Sequence, residues 1–385
     1  MTFTHTIRSG QRRLRCGYTT GTCAALAASG AARLLLTGTR PETLRLLTPK
    51  GIPVEVAPEF CQTRDGAARC GVRKDAGDDP DVTNGIVIVA EVRKTETGIS
   101  IDGGAGVGRV TKPGLDQPTG AAAINRVPRS MIAAAVEEVC AAAGYAGGLS
   151  VIISVPDGAS LAARTFNPRL GIVGGISILG TSGIVEPMSE QALVDTIAVE
   201  IHQARISGAE RLILTPGNYG LDFLKSNGIN TSGMNSGEIP VVRISNYIGD
   251  ALDCAALEGF SAVLLVGHIG KLVKLAGGIM NTHSRVADCR RELFCAHAAL
   301  QGADAALCRE LMEAATTDAC LALLDKHGPD SLRQRVLDSL LTAIQEHLDH
   351  RAGGTQTGAV LFSNEYGFLG QTSGAAEFWK FTSPL

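Results

Sequence analysis

Five cationic or titratable side chains crowd one short segment of the chain, directly after an apolar run. The run, Ala262–Val266, predicts a strand buried on both faces, as found inside parallel sheets. The side chains that follow it are His268, Lys271, Lys274, His283 and Arg285. Because open α/β sheets bind ligands beyond the carboxyl ends of their strands, these residues are candidates for charge-assisted hydrogen bonds to an anionic ligand. The alternative is a solvated helix start, since charged residues mostly lie on the surface.

A turn rich in hydroxyl groups occurs near the amino end of the chain. Thr22 is predicted to cap a helix that starts at Cys23 and ends near Gly38. Thr19 and Thr20 would then lie at a helix N-terminus, where backbone N–H groups and hydroxyls can hold a carboxylate or a phosphate. The alternative is a helix cap that binds nothing, because hydroxyl-rich caps are common.

The segment 167–188 combines five glycines with β-branched residues and carries almost no charge except Arg169 and Glu186. Such a segment can expose backbone donors to a ligand, and Gly180 and Thr181 are its candidate contacts. A glycine-rich crossover of a sheet explains the same composition nearly as well.

Two further segments imitate known ligand-binding motifs. The glycines of segment 103–108 have the spacing of a phosphate-binding loop, but Arg109 and Val110 stand where a lysine and a hydroxyl group are required. We therefore predict a tight connection there. The carboxylates of segment 78–81 can chelate a hard cation, but a solvated turn is the favoured interpretation, and we predict no metal site.

The composition argues against several classes of function. The chain has 385 residues, a net charge of −3 and only 4% aromatic residues, which disfavours a nucleic-acid surface. Ten cysteines without CxxC spacing, and without a secretion signal, predict reduced thiols in a cytoplasmic protein. The basic start, Arg12-Arg13-Leu-Arg15, precedes a segment too interrupted by polar residues to be a targeting peptide. No apolar run is long enough to predict a membrane span.

The order of the predicted elements suggests two kinds of sheet. Short alternating runs within segment 44–111, separated by turn residues, predict a largely antiparallel sheet. Strands at Arg211–Thr215, at Pro240–Ile244 and from Ala262 alternate with helices, as in a Rossmann-like layer. We therefore predict an α/β and α+β protein with a mixed two-layer N-terminal domain (1–148), a Rossmann-like three-layer domain (149–285) and a helical C-terminal region (286–385) packed on these domains.

Five motifs in a fixed order go further than a fold class. They are Cys16-Gly-Tyr-Thr-Thr-Gly-Thr-Cys-Ala-Ala25, Asp78-Asp-Pro-Asp-Val-Thr-Asn-Gly85, Gly175-Ile-Ser-Ile-Leu-Gly-Thr-Ser-Gly-Ile-Val-Glu-Pro-Met188, Ser245-Asn-Tyr-Ile-Gly-Asp250 and the segment 267–285. Together they resemble the cobalt-precorrin-5B C1-methyltransferase family of the anaerobic cobalamin pathway, over residues 14–368. The departures, at Cys289 and in segment 121–125, fall on no residue assigned to chemistry.

The resemblance implies S-adenosylmethionine as methyl donor and a tetrapyrrole as acceptor, with the cobalt carried by this substrate. The products would be cobalt-precorrin-6A and S-adenosylhomocysteine. The acceptor carries acetate and propionate carboxylates, which suit cationic donors. The substrate-binding residues expected from this match are Thr19, Thr20, Arg169, His268, Lys271, Lys274, His283 and Arg285.

The methyl donor is expected against bare backbone after the strand at 211–215, with an acidic residue at its ribose hydroxyls by analogy with other nucleotide sites. The donor-binding residues expected are Gly180, Thr181, Glu186, Gly217, Asn218, Gly220 and Asp250. No catalytic residue is assigned, because C-methylation needs the acceptor carbon aligned with the sulfonium methyl group rather than an activated Ser or Cys.

Two other functional classes stay open at this point. A nucleotide-dependent kinase would need the lysine and hydroxyl that segment 103–110 lacks. A non-catalytic tetrapyrrole carrier would use an axial histidine, for which His268 and His283 are candidates. Turnover of labelled methyl groups separates both classes from a methyltransferase. The sequence is also compatible with a homo-oligomer.

Overall fold

The computed structural model describes residues 3–229, 239–327 and 331–378. The chain divides into two compact units, Met1–Glu190 and Gln191–Leu385. Each unit has its own large cluster of buried apolar side chains. Both units combine helices with sheets, which confirms the mixed α/β class predicted from the sequence.

The first unit is built on a five-stranded sheet. Its elements are β1 (Thr6–Ser9), β2 (Arg12–Arg15), β3 (Gly17–Tyr18), α1 (Thr20–Thr37), β4 (Leu44–Leu47), β5 (Pro53–Val56), β6 (Phe60–Arg64), β7 (Ala67–Arg73), β8 (Val87–Thr95), β9 (Ile99–Gly103), β10 (Gly106–Val107), β11 (Arg109–Val110), α2 (Arg126–Ala142), β12 (Gly148–Ser154), α3 (Gly158–Ala162), β13 (Ile172–Val173), β14 (Gly175–Ile176) and β15 (Ile184–Val185). The sheet order is β6-β7-β8-β12-β9, and its pairs are antiparallel except β12–β9.

Helix α1 covers this sheet and is buried along most of its length. It begins where the Thr19 side chain accepts a hydrogen bond from the Thr22 backbone N–H, and it ends at Gly38, whose φ of 72° is left-handed. Its small residues allow close approach, since a Cβ at Gly30 would lie 2.8 Å from Cys70 Sγ. The alanine-rich sequence therefore serves helix-on-sheet packing.

Strand β12 corrects the predicted domain boundary. We expected a new domain to start at residue 149, yet β12 pairs with both β8 and β9 inside the first sheet. The compact units separate after Glu190 instead. The glycines at 147 and 148 mark a turn into this strand and do not mark a linker.

The second unit contains a five-stranded sheet that is parallel except for its last strand. Its elements are α4 (Glu190–Ile206), β16 (Arg211–Thr215), α5 (Asn218–Ser226), β17 (Val241–Arg243), α6 (Ile248–Leu257), β18 (Ala262–His268), α7 (Ile269–Leu272), a 3-10 helix (Val273–Gly277), α8 (Arg290–Leu300), α9 (Ala305–Glu313), α10 (Thr317–His327), α11 (Leu332–Ala352), β19 (Gln356–Ser363), β20 (Gly367–Gln371) and α12 (Ser373–Phe378). The strand order is β17-β16-β18-β19-β20.

The sequence predicts a helical region over residues 286–385, but this segment also contains two strands. Strand β19 pairs in parallel with β18 over seven residue pairs, and β20 then adds an antiparallel edge. The helices α8 to α11 contribute their buried faces to the same apolar cluster as α4 and α6. This segment therefore completes the second sheet and its core.

The connections of the second sheet diverge at its carboxyl edge, which is the kind of edge where open α/β sheets form a ligand crevice. After β16 the chain enters α5, whose Leu224 belongs to a small apolar cluster with Ile213. After the neighbouring β18 it enters α7, whose Ile269 and Leu272 belong to the large cluster with Leu212. Because alternate residues of a strand face opposite sides of a sheet, the two connections leave toward opposite faces. Such a divergence is where open α/β sheets bind ligands.

Candidate functional site

Lys271 ties together the loops at the carboxyl edge of the second sheet. Its Nζ donates to the backbone oxygen of Pro216 at 2.7 Å and to that of Ser245 at 3.4 Å. These two oxygens follow β16 and β17. The side chain is half-buried, and burial followed by the charge of Lys274 lowers the pKa of Lys271 from its ordinary value. An ammonium group is thus fixed at this edge of the sheet.

The glycine loop that follows β16 lies at the same edge of the sheet. Gly217 has a φ of 148°, in a region that favours glycine, and it precedes α5 without a side-chain cap. Asn218 Oδ1 accepts a hydrogen bond of 2.7 Å from Arg243 Nη1, at the end of β17. A Cβ at Gly220 would overlap Thr215 Oγ1 and lie 2.9 Å from the Val266 oxygen. The sequence motif therefore brings bare backbone up to two neighbouring strands.

His268 ends β18 with a defined donor and acceptor arrangement. Its Nδ1 accepts a 3.0 Å hydrogen bond from the Gly270 backbone N–H, and burial lowers the pKa of the imidazole. In the neutral ring the proton is therefore on Nε2, which makes that atom a donor. The ring of Tyr219 has its centroid 6.3 Å from that of His268, and Tyr219 is 64% exposed. Sequence reasoning missed Tyr219, although it lies inside the predicted glycine loop.

Lys274 has a structural role, which corrects its assignment to the ligand. The residue is 3% exposed, and its Nζ donates to the backbone oxygens of Thr282 at 3.0 Å and Ala287 at 2.8 Å. Asp288 lies 3.6 Å from the same nitrogen. These contacts use the ammonium group to hold segment 282–288, so a substrate carboxylate would have to displace them.

Segment 281–285 forms a turn stabilised by its own side chains. His283 is half-buried, and its Nδ1 accepts a 3.1 Å hydrogen bond from the Arg285 backbone N–H. The Arg285 side chain is exposed. Thr282 connects this turn to the loop after β17, since its backbone N–H donates to the Asn246 oxygen at 3.0 Å. The turn is thus joined to the loops that Lys271 also ties together.

Asp250 lies in the first turn of α6 and is exposed. Its neighbour Asp253 accepts two hydrogen bonds from Arg351, whereas no hydrogen bond or ion pair of the Asp250 carboxylate occurs within the described part of the chain. Two acidic residues, Glu186 and Asp250, are predicted to bind the ribose hydroxyls. Asp250 belongs to the second unit, and its carboxylate is available to a ligand.

Thr19 caps α1, and Thr20 holds the glycine-rich segment. This arrangement supports the alternative, a helix cap that binds no ligand. Both threonines are buried. Thr19 Oγ1 accepts from the Thr22 N–H at 3.2 Å, and Thr20 Oγ1 accepts from the Leu179 N–H at 2.8 Å. The Thr20 hydroxyl also donates a hydrogen bond to the Leu179 backbone oxygen at 3.2 Å. These hydroxyl groups are engaged inside the first unit.

Three residues predicted to bind the methyl donor, Gly180, Thr181 and Glu186, also belong to the first unit, as does Arg169, which was predicted to bind the substrate. Gly180 has a φ of 129° and packs against Thr19, while Thr181 is exposed. Glu186 forms an ion pair with Lys50. Arg169 lies over the ring of Phe166, 5.7 Å from its centroid. Gly217 and Asn218, by contrast, belong to the second unit.

In the two segments that resemble ligand-binding motifs, charged side chains form contacts with other residues of the first unit. In the acidic segment, Asp81 pairs with buried Lys74 at 2.6 Å, and the Asp79 side chain accepts from the Met188 N–H at 2.9 Å. Arg109 pairs with Asp102 at 2.8 Å, and the glycines before it make a tight connection, as predicted. No group of three or more metal-ligating side chains occurs within residues 3–229, 239–327 and 331–378. No helix in these ranges is long and apolar enough to cross a membrane.

Comparison with known proteins gives a consistent result along the chain. Residues 7–187 match the family model described as CbiD, and residues 281–373 match the one described as CbiD, C-terminal domain. The cobalt-precorrin-5B C(1)-methyltransferase of Ruminiclostridium cellulolyticum is 50% identical over 89% of this chain and 86% of that protein. The protein of the same name from Alkaliphilus metalliredigens is 42% identical over 94% of each.

A solved structure is also similar in sequence. It is the 1.9 Å crystal structure of a cobalamin biosynthesis protein from Archaeoglobus fulgidus, which is 32% identical and covers 73% of this chain and 86% of that one, with a TM-score of 0.39. The family assignment rests on the 50% identity to the Ruminiclostridium cellulolyticum protein and on the two family models, which match residues 7–187 and 281–373 of this chain. The chain belongs to the CbiD family, which includes the cobalt-precorrin-5B C(1)-methyltransferases.

Proposed function

We propose that this protein transfers a methyl group from S-adenosylmethionine to C1 of cobalt-precorrin-5B, giving cobalt-precorrin-6A in cobalamin biosynthesis. The observation that carries the proposal is the 50% identity to a cobalt-precorrin-5B C(1)-methyltransferase over 342 residues. The match spans both compact units, so it does not reflect one shared domain.

The methyl donor binds, in this proposal, at the carboxyl edge of the second unit, which acts as a Rossmann-like layer. The left-handed Gly217 and the uncapped N-terminus of α5 offer backbone N–H groups, and Asp250 offers an acceptor for ribose hydroxyls. When bound, S-adenosylmethionine supplies an electrophilic methyl group on a sulfonium sulfur. These groups fit its carboxylate and ribose, which need donors and acceptors respectively.

The acceptor binds next to the donor, through Lys271, His268 and Arg285. Lys271 holds its ammonium group between two loops, and His268 presents an Nε2–H donor. Both groups suit the carboxylates of a tetrapyrrole. The contacts of Lys271 with the loops after β16 and β17 would place acceptor and donor at one edge of the sheet.

The chain's contribution to the reaction is alignment. Fixed donors that hold the acceptor by its carboxylates can bring C1 into line with the sulfonium methyl group, and such positioning is worth several kcal/mol of barrier in ordered sites, up to about 7–11 kcal/mol. The nucleophile toward the sulfonium methyl group would be the ring carbon of the acceptor, with the neutral thioether as leaving group, so no side chain has to act as nucleophile.

Calorimetry tests the donor site. We expect S-adenosylhomocysteine to bind and ATP not to bind. We expect Asp250→Asn to lower the affinity for S-adenosylhomocysteine by roughly tenfold, which corresponds to about 1.4 kcal/mol. Asp253→Asn is the matched control on the same helix, because Asp253 pairs with Arg351. Binding of ATP without any response to S-adenosylhomocysteine would overturn the proposed donor.

A further inference from the structure

The N-terminal hairpin β1–β2 carries a concentration of positive charge that neither the fold nor the proposed donor site explains. Segment 6–15 contains four arginines and no acidic residue, in a chain whose net charge is −3. Of these, Arg8, Arg12 and Arg13 are exposed. No ion pair involving these three residues occurs among the described residues, and Arg8 makes one hydrogen bond, to the Gly10 oxygen at 3.1 Å.

The register of the hairpin sets two of these arginines directly opposite each other. Arg8 pairs with Arg13, and Ser9 pairs with Arg12 next to the turn. In a hairpin with a two-residue turn the flanking pair is hydrogen-bonded, so the next pair is the non-hydrogen-bonded one, where side chains approach most closely. Like charges directly opposite each other destabilise a strand pair. The arrangement therefore costs stability unless an anion binds there.

The hairpin is held to its unit by its other residues. Ile7 packs against the apolar cluster of the first unit. Arg15 donates from Nη2 to Asp75 at 2.9 Å, and its backbone N–H donates to Asp78 at 2.6 Å. Because side chains alternate along a strand, fixing Ile7 inward directs Arg8 outward. The exposed arginines thus lie on an anchored element.

We infer that this arginine hairpin is a surface of the first unit that binds the carboxylates of the tetrapyrrole by itself. A guanidinium group matches a carboxylate through paired N–H donors, and adjacent arginines suit a ligand with several carboxylates around one ring. A nucleic acid is a poorer match, because segment 6–15 has no aromatic residue on which bases could stack. This inference rests on the proposed function, since it is the acceptor that supplies the carboxylates.

The test uses the full chain and two soluble porphyrins as probes. Uroporphyrin carries an acetate and a propionate on every pyrrole ring, and coproporphyrin has methyl groups in place of the acetates. Fluorescence titration at low and high salt measures the affinity of each. We expect uroporphyrin to bind more tightly, and we expect Arg8→Gln/Arg13→Gln to weaken it by roughly tenfold at low salt, with less effect at high salt.

Arg64→Gln is the matched control, since Arg64 is an exposed arginine beside another hairpin turn and lies 3.4 Å from Asp65. It should leave uroporphyrin affinity unchanged. The double variant should unfold at the same urea concentration as the parent protein or a higher one, because it removes a repulsion. A double variant that is less stable and binds as before would mean a structural role and overturn the inference.

Two further outcomes decide the inference. Equal loss of uroporphyrin and coproporphyrin affinity, independent of salt, would contradict recognition by carboxylate number. Tighter binding of single-stranded DNA than of uroporphyrin, lost in the double variant, would reassign the hairpin to nucleic acid. Binding of S-adenosylhomocysteine is measured on the same samples. If it is absent while uroporphyrin binding depends on the arginines, the proposed function fails and the hairpin assignment stands.

Discussion

Lys271 and Lys274 are close in sequence, yet the fold gives them different surroundings. Lys271 is half-buried at the carboxyl edge of the second sheet, where burial and then the charge of Lys274 lower its pKa below the ordinary 10.5. Lys274 is fully enclosed and hydrogen-bonded to backbone oxygens. The first therefore remains in the proposed site, whereas the second stabilises the segment beside it.

The lowered pKa of Lys271 predicts how stability depends on pH. Between the folded pKa and 10.5 the unfolded chain binds more protons than the folded chain, so the free energy of unfolding rises with pH in that window. Lys271→Met removes this contribution. We expect the stability of the parent protein relative to the variant to increase as pH rises toward 10.5, measured by urea unfolding. A relative decrease would show that the folded pKa is raised.

Removal of the Lys274 ammonium group should destabilise the fold. Lys274→Met leaves two backbone oxygens, of Thr282 and Ala287, without this donor, which costs about 1–3 kcal/mol for buried groups. Arg285→Met, at an exposed position, should change the free energy of unfolding by less than about 0.5 kcal/mol. Urea unfolding of both variants checks this. Equal effects would mean that Lys274 is not a structural anchor.

At the scale of elements, the loop between β16 and α5 depends on Gly220. An added Cβ would overlap Thr215 Oγ1 and lie 2.9 Å from the Val266 oxygen. We expect Gly220→Ala to lower the midpoint of thermal unfolding and to lower the affinity for S-adenosylhomocysteine. Adding Thr215→Ala should restore part of the stability, because it removes the hydroxyl that causes the overlap. No recovery in the double variant would place the strain at the backbone of β18.

Local sequence patterns predicted the bounds of strands better than they predicted which strands pair in a sheet. Strand β16 has the predicted bounds, Arg211–Thr215, because an apolar run of strand length has few other solutions. The sheet to which β12 belongs was not predicted, since its partners β8 and β9 are distant in sequence.

The candidate site shows the same limit. The glycines of segment 217–220 were predicted from their position directly after an apolar strand. Gly217 has a positive φ that favours glycine, and at Gly220 a Cβ would overlap Thr215 Oγ1. The enclosure of Lys274 was not predictable, because Lys271 and Lys274 stand in the same short segment and both donate to backbone oxygens, yet only Lys274 is enclosed. Burial depends on segment 282–288 folding over the side chain, which no local pattern indicates.

At the scale of the whole molecule, the chain consists of two units that each bury their own apolar cluster. We expect fragments 1–190 and 191–385, produced separately, to keep the secondary structure of the intact protein by circular dichroism and to unfold cooperatively. The control is a pair of fragments divided at residue 148, which removes β12 from the first sheet. Cooperative folding of fragment 1–148 and not of 1–190 would contradict the division after Glu190.

The most direct test of the proposed function follows a labelled methyl group. The full chain is incubated without oxygen with S-adenosylmethionine labelled at its methyl carbon and with cobalt-precorrin-5B, and the tetrapyrrole is examined by mass spectrometry and NMR. We predict one labelled methyl group at C1, formed together with S-adenosylhomocysteine. Tight binding of the tetrapyrrole with no transfer of label, while S-adenosylhomocysteine binds normally, would contradict the methyltransferase assignment and favour a carrier.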